Sequence, residues 1–146
     1  MRFLFVDAIT NVSEGAIAGR RLFPVTEPMR YQPRIGDQHV AAGAICEAIG
    51  QLASWYCLKK NDFTARPVFL FAESIEIRDQ VPLGATVELR ATIDDIGTDA
   101  FRFSGEALVD GRVYQSIRDC GGMFMPLGDL EDPAVTRARY DALTNG

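Results

Sequence analysis

Residues 41–58 constrain the fold of this chain more than any other segment. They read AAGAICEAIGQLASWYCL, in which small and apolar side chains recur without leaving a polar face. A helix that is apolar on nearly every side belongs inside a protein rather than on its surface. We therefore predict one long buried helix, with the rest of the chain packed around it.

Glu47 is the only charged residue in this predicted helix. A carboxylate carried into a protein interior must be paired, hydrogen-bonded or protonated, and such groups are frequent in active sites. Gln51 follows one turn later on the same face of the helix. We predict Glu47 and Gln51 as site residues, and the alternative is a structural acid hydrogen-bonded to the backbone.

Length, charge and cysteine usage exclude several classes of function. A chain of 146 residues suits one domain with its own core. A net charge of −5 with scattered Lys and Arg provides no basic surface for nucleic acid. The three cysteines lack metal-ligand spacing, so we expect no metal site and a reducing, cytoplasmic compartment. We also expect no membrane span and no secretory signal, because the apolar helix contains polar and small residues and the opening apolar run is short.

The remaining sequence predicts antiparallel strands. Two β-prone runs, residues 3–12 and 16–23, flank the turn sequence Ser13-Glu14-Gly15. Further runs rich in β-branched and aromatic residues follow the helix at 68–78, 86–96, 100–109 and 113–125. A hairpin, one helix and a four-strand meander predict an α+β fold, in which a curved antiparallel sheet of about six strands wraps around the helix.

The domain organisation follows from the same pattern. Residues 1–128 contain every predicted strand and the buried helix, and we predict that they form a single domain. Pro133 begins an amphipathic segment, residues 134–143. We therefore predict a C-terminal helical tail over residues 129–146, which lies on the surface or frays.

Local motifs on these elements resemble the 3-hydroxyacyl-acyl-carrier-protein dehydratases of the FabZ and FabA type, over roughly residues 3–125. Glu27-Pro28 is similar to the Glu-Pro that precedes the family's active-site loop. A count forward without a gap then places the family's Glu-Ala-x-x-Gln motif on residues 47–51. Residues 77–84, IRDQVPLG, resemble a loosened Phe-Arg-x-x-Val-x-Pro-Gly, and Val109-Asp110-Gly111 matches the hairpin before the family's last strand. The resemblance implies the hot-dog fold.

The same count places Pro33 where the family has its catalytic histidine. The family's His-Phe-Pro-Gly reads Pro33-Arg34-Ile35-Gly36 here. Dehydration needs a base for the proton alpha to the thioester and an acid for the departing 3-hydroxyl, and proline supplies neither. His39, the sole histidine, is the candidate for proton transfer near neutral pH. The alternative for His39 is a polar residue at the helix entrance or at a dimer surface.

Four further residues are candidates for substrate binding. Gly43 would let a thioester carbonyl approach the start of the helix, although it falls one position after the family's glycine. Arg34 would meet the phosphate of a pantetheine carrier or coenzyme A, and the alternative is a solvated surface residue. Phe69 and Phe71 would line an acyl tunnel, and the alternative is packing in the core.

The resemblance implies a function with acyl thioesters, for which three interpretations remain. The first is a dehydratase-like enzyme on 3-hydroxyacyl thioesters, with Glu47 as the acid and the base supplied by His39, by water held on Gln51, or by neither. The second is a thioesterase in which Glu47 acts as base or nucleophile. The third is a non-catalytic subunit or acyl-binding module, which the loss of the family's histidine favours.

The resemblance also implies the partners. The acyl group would be carried on the phosphopantetheine of acyl carrier protein or on coenzyme A, and we expect no further cofactor. Hot-dog domains usually pair through their edge strands, so we expect a homodimer or a higher oligomer built from it. Pairing would also cover an edge strand that is otherwise exposed.

Overall fold

The computed structural model describes residues 5–27, 30–31 and 38–145. The strands of its main sheet are β1 (Ala8–Ser13), β2 (Ala16–Leu22), β5 (Ala65–Ile77), β6 (Thr86–Ile96), β7 (Ala100–Val109) and β8 (Arg112–Pro126). They are antiparallel, and their order across the sheet is β1-β2-β6-β7-β8-β5. Two short strands, β3 (Arg30–Tyr31) and β4 (His39–Val40), pair with each other. The six-strand antiparallel sheet agrees with the prediction.

Helix α1 (Ala42–Lys60) is the long buried helix that the sequence predicts. Every residue from Ala48 to Leu58 is buried, and the helix packs against strands β2, β5, β6 and β7. Each fully buried large apolar side chain stabilises the fold by about 1.5–3 kcal/mol relative to its exposed state. The helix ends at Asn61, whose N–H donates to Cys57 O, and two lysines in the last turn suit the negative end of the helix.

The sheet presents its apolar face to α1 because its strands alternate. In β6, Val87, Leu89 and Ala91 are buried, while the residues between them point outward as in any sheet covered on one face. At Gly105 of β7 the helix comes very close, since an added Cβ would collide with Ile49 Cγ2 and lie 2.7 Å from Arg90 O. Glycine is therefore required where the helix crosses β7.

Helix α2 (Pro133–Asn145) is packed against the end of α1. Tyr140 is 7% exposed, and its ring lies 6.0 Å from Trp55 and 5.7 Å from Phe63. The C-terminal helix predicted in this segment is present and is docked through Tyr140. Residue 128 falls within a short 3-10 helix, Leu127–Asp129, and the division of the chain there stays a prediction. None of the helices in the described ranges has the length and apolarity that crossing a membrane requires.

Candidate functional site

Glu47 and Gln51 lie one turn apart on α1 and are joined by a hydrogen bond. Gln51 Nε2 donates to Glu47 Oε1 at 2.9 Å, and Gln51 Oε1 accepts from the backbone N–H of Phe5 at 3.1 Å. Gln51 is 6% exposed and Glu47 is half-buried. Because both ends of the amide are used, the side chain of Gln51 holds the carboxylate in one place. The predicted pairing of the two side chains is present, while their catalytic role stays a prediction.

A pocket of about 150 Å³ lies beside this carboxylate, between α1 and the start of β5. Four of its eight lining residues carry polar side chains, so it is not a purely apolar slot. Ser54 Oγ donates to Gly50 O at 2.9 Å, which leaves the hydroxyl oxygen as an acceptor. The lining residues are Glu47, Gly50, Gln51, Ser54, Arg66, Pro67, Val68 and Phe69.

Arg66 is a charged residue of this pocket that the sequence reasoning missed. Its side chain is 3% exposed and forms an ion pair with Glu131, whose second oxygen lies 3.8 Å from Arg139 Nη1. Burial lowers the pKa of the Arg66 guanidinium, and the negative charges of Glu131 and Glu47 counteract that shift. The only signal in the sequence is a lone cation before the apolar run PVFLF.

His39 lies in a different pocket, of about 210 Å³, at the start of α1. Its ring makes an edge contact with Tyr31, with centroids 5.2 Å apart. Its Nδ1 is buried, and no hydrogen-bond partner reaches it within the described part of the chain. A single chain therefore does not place the imidazole in the pocket of Glu47. The pocket of His39 is lined by His39, Val40, Ala42, Ile45, Ile77, Asp79, Gln80, Val81 and Gln115.

The predicted substrate-binding residues differ in where they lie relative to the Glu47 pocket. Phe69 lines the pocket of Glu47 and packs against Phe103 with centroids 5.6 Å apart, whereas Phe71 lies outside the pocket under the guanidinium of Arg102. Gly43 is exposed in the first turn of α1, and an added Cβ would meet nothing within 4 Å. Pro33 and Arg34 lie outside the described residues.

The cysteines are poor nucleophiles in this environment. Burial raises the pKa of Cys57 to about 12 and that of Cys120 to about 11, so both stay protonated near neutral pH. Among residues 5–27, 30–31 and 38–145, no three His, Cys, Asp or Glu side chains are grouped so that they could hold a metal ion. The polar chemistry of the Glu47 pocket thus comes from Glu47, Gln51, Ser54 and Arg66.

A comparison with known sequences shows a relative. No protein-family model matches the chain. The chain is 31% identical over 115 residues to a 3-hydroxyacyl-[acyl-carrier-protein] dehydratase FabZ of Rickettsia bellii. The match covers 76% of this chain and 79% of that protein.

Comparison with solved structures finds several proteins of similar fold. A Streptococcus mutans protein bound to acetyl CoA superposes with a TM-score of 0.66 at 12% identity, covering 84% of this chain and 92% of the other. A thioesterase from Haemophilus influenzae gives 0.63 at 18% identity, covering 84% and 79%. The dehydratase heterocomplex ApeI:P from Xenorhabdus doucetiae gives 0.62 at 16%, covering 83% of each chain. These similarities confirm the predicted hot-dog fold.

Proposed function

Because the chain belongs to the FabZ-like family of hot-dog proteins, we propose that it acts on acyl thioesters as a dehydratase-like enzyme in which Glu47 transfers a proton. The observation that carries the proposal is the half-buried carboxylate of Glu47, held by Gln51 beside a pocket. A positioned acid of this kind contributes typically about 10²–10⁴-fold to a proton-transfer step. The substrate would be a 3-hydroxyacyl group carried on acyl carrier protein or coenzyme A.

The proposed reaction uses two proton transfers. Protonated Glu47 gives its proton to the departing 3-hydroxyl, which leaves as water, while a base takes the proton from C2 and the electron pair of that C–H bond forms the double bond. The product is a 2-enoyl thioester. Return of the proton from the base to Glu47 through solvent restores the enzyme.

The missing base would come from a second copy of the chain. Strand β5 is an edge strand of thirteen residues, and its exposed apolar side chains include Leu70 at 60%, Ile75 at 53% and Ile77 at 56%. A long apolar edge of this kind pairs with another strand or aggregates. We propose a homodimer in which β5 pairs antiparallel with β5 of a second copy.

This pairing would bring the Glu47 pocket of one copy next to the His39 pocket of the other. Pairing along the whole strand places the two-fold axis beside Phe71, its middle residue, and sets Ala65 of one copy opposite Ile77 of the other. Residues just after Ala65 line the pocket of Glu47, and Ile77 lines the pocket of His39. The imidazole of a second copy would then stand near Glu47, where the dehydration needs a base.

Contacts with the thioester itself would come from the start of α1. The open space around Gly43 leaves room for a thioester carbonyl at the first turn, where backbone N–H groups favour a developing negative charge. Arg34 would bind a phosphate of the carrier. Phe69 would contact the acyl group within the pocket, as its position in the lining permits.

A thioesterase is the second candidate. Among the residues that the structure describes, no imidazole lines the pocket of Glu47, so within one chain the carboxylate works without one. A lone carboxylate is sufficient to take a proton from a water that attacks the thioester carbonyl, after which the thiol leaves with a proton. The solved structures of similar fold include a thioesterase.

Turnover of matched substrates tests these functions. The protein is incubated with four-carbon 3-hydroxyacyl, 2-enoyl and saturated acyl thioesters of coenzyme A, while enoyl absorbance and free thiol are followed. Loss or gain of water supports the dehydratase, release of thiol from the saturated thioester supports the thioesterase, and binding without turnover supports a non-catalytic acyl-binding protein. Glu47→Gln should lower kcat by about 100-fold or more, and Glu88→Gln, whose side chain is 44% exposed and lies outside the pocket, serves as the control. Full activity in Glu47→Gln would contradict the site.

A further inference from the structure

Arg66 lines the Glu47 pocket, and behind it Glu131 forms a buried ion pair with its guanidinium. The two side chains are 3% and 12% exposed. Glu131 is held in place by its own backbone, since its N–H donates to Leu127 O at 2.9 Å. Leu127 is fully buried, and its N–H donates to Thr64 O at 2.9 Å, which ties the segment to the residues just before β5.

The pair stands toward the C-terminal end of α1, because Asn61, which caps that end, donates from Nδ2 to Ala65 O at 2.8 Å and Arg66 follows Ala65. The segment that carries Glu131 leads into α2, and Tyr140 of α2 packs against Trp55 near the end of α1. The lining on the helix runs from Glu47 to Ser54, two turns later, which corresponds to about 10 Å along the helix axis. An acyl group that enters beside Glu47 therefore runs along α1 toward the charges of Arg66 and Glu131.

The pocket is also small. Its volume is about 150 Å³, and an apolar cavity of about that size holds one benzene molecule, which has six carbons. A longer chain would have to displace the ion pair, and separating these two buried charges is costly even with Arg139 3.8 Å from the second oxygen of Glu131. Both the volume and the charges thus act against a long apolar chain.

We propose that the Arg66–Glu131 ion pair is the end wall of the acyl pocket and restricts the protein to short acyl groups of about six carbons or fewer. This inference rests on the proposed function, because it takes the Glu47 pocket as the acyl site. Glu131 is then a positioning residue: it holds the guanidinium across the pocket and never touches the thioester. The C-terminal segment, which lies outside the part of the chain that resembles the dehydratases, sets the length of the substrate.

An alternative is that the pair only anchors α2. Other contacts already do so, since Arg137 Nη2 lies 2.8 Å from Asp62 Oδ1 and the ring of Tyr140 packs on Trp55 and Phe63. Arg137→Gln removes an ion pair of the same helix outside the lining of the pocket, and it is therefore the matched control. Arg66→Met together with Glu131→Leu removes both charges at once, so that neither is left buried alone.

The experiment measures binding rather than turnover. Unreactive thioether analogues of acyl coenzyme A with four, six and twelve carbons are titrated into the full chain by calorimetry. We expect the wild-type protein to bind the four-carbon analogue at least tenfold more tightly than the twelve-carbon one. The double variant should reduce this ratio at least threefold, and Arg137→Gln should leave it unchanged.

Each outcome is decisive. Equal affinities for all chain lengths in the wild-type protein would overturn the end wall while leaving acyl binding intact, and this measurement needs no variant to fold. A folded double variant that keeps the wild-type ratio, or an equal change in Arg137→Gln, would overturn the role of the pair. Failure to bind any analogue would instead contradict the proposed function, and the end wall with it.

Discussion

Gln51 joins Glu47 to the N-terminal segment, because its amide nitrogen donates to Glu47 Oε1 at 2.9 Å while its amide oxygen accepts from Phe5 N at 3.1 Å. One buried side chain thus links the candidate acid to the backbone beside β1. The orientation of the carboxylate depends on where that backbone lies, as well as on the helix. Loss of Gln51 should therefore slow the reaction by changing the orientation of the Glu47 carboxylate.

Gln51→Ala is expected to lower kcat/KM by about 10- to 100-fold, the usual effect of a misplaced reacting group. It should also lower the free energy of unfolding by about 1–3 kcal/mol, because the N–H of Phe5 loses its acceptor. Steady-state kinetics on the best thioester and urea unfolding measure the two effects.

The control for Gln51 is Tyr56→Phe. Tyr56 Oη accepts from the backbone N–H of Gly15 at 2.9 Å, so it also joins α1 to the first hairpin, but it does not line the pocket. We expect a similar loss of stability and a kcat/KM within twofold of the wild type. Equal kinetic losses in Gln51→Ala and Tyr56→Phe would show that Gln51 acts only through stability.

Gly43→Ala should separate stability from activity. An added Cβ meets nothing within 4 Å, so the substitution causes no clash and should stabilise the helix by up to about 1 kcal/mol. If a thioester carbonyl approaches the helix at this position, the methyl group occupies its space, and we expect KM to rise about tenfold. Thermal unfolding and steady-state kinetics, measured on the same preparation, check that stability increases while KM rises. A variant that gains stability and keeps its KM would remove Gly43 from the site.

Arg66→Met is expected to be strongly destabilising, because it leaves Glu131 without its closest partner. Removal of one member of a buried pair typically costs about 3–5 kcal/mol, and the remaining cation of Arg139 should keep the effect near the lower end of that range. Urea unfolding gives the difference. Arg78→Met breaks the exposed pair with Glu76 and should cost less than about 1 kcal/mol. Equal losses in Arg66→Met and Arg78→Met would contradict the burial of the Arg66 charge.

The local features of the fold could be predicted from the sequence. The buried helix follows from a segment without a polar face, and β6 and β7 have the bounds that their turn residues indicate. Residues 5–7 were predicted as strand and instead precede β1, which begins at Ala8. The N–H of Phe5 is bonded to a side chain of α1 rather than to a neighbouring strand. Such a bond between distant residues leaves no periodic pattern in the sequence from which it could be predicted.

The parts of the candidate site also differ in how far apart their residues are in the sequence. Glu47 and Gln51 are four residues apart, and helical geometry alone brings them together. Arg66 and Glu131 are 65 residues apart, and only the docking of the C-terminal segment brings them together. The separation of His39 from Glu47 also depends on the path of the chain before α1. Contacts made by tertiary packing were therefore missed, while contacts within one turn were found.

Leu70→Lys should break the proposed dimer. Leu70 is 60% exposed on β5 and lies next to Phe71, so pairing of two copies would bring two lysines close together. In this register the two lysines are diagonal neighbours, which long side chains can still reach and where like charges repel, and lysine on an edge strand opposes pairing. We expect sedimentation to change from dimer to monomer and turnover to fall about 100-fold, because His39 of the second copy is lost from the site. Val12→Lys, on the opposite edge strand β1, should change neither quantity. A monomeric wild-type protein, or an active monomer of Leu70→Lys, would contradict the shared site.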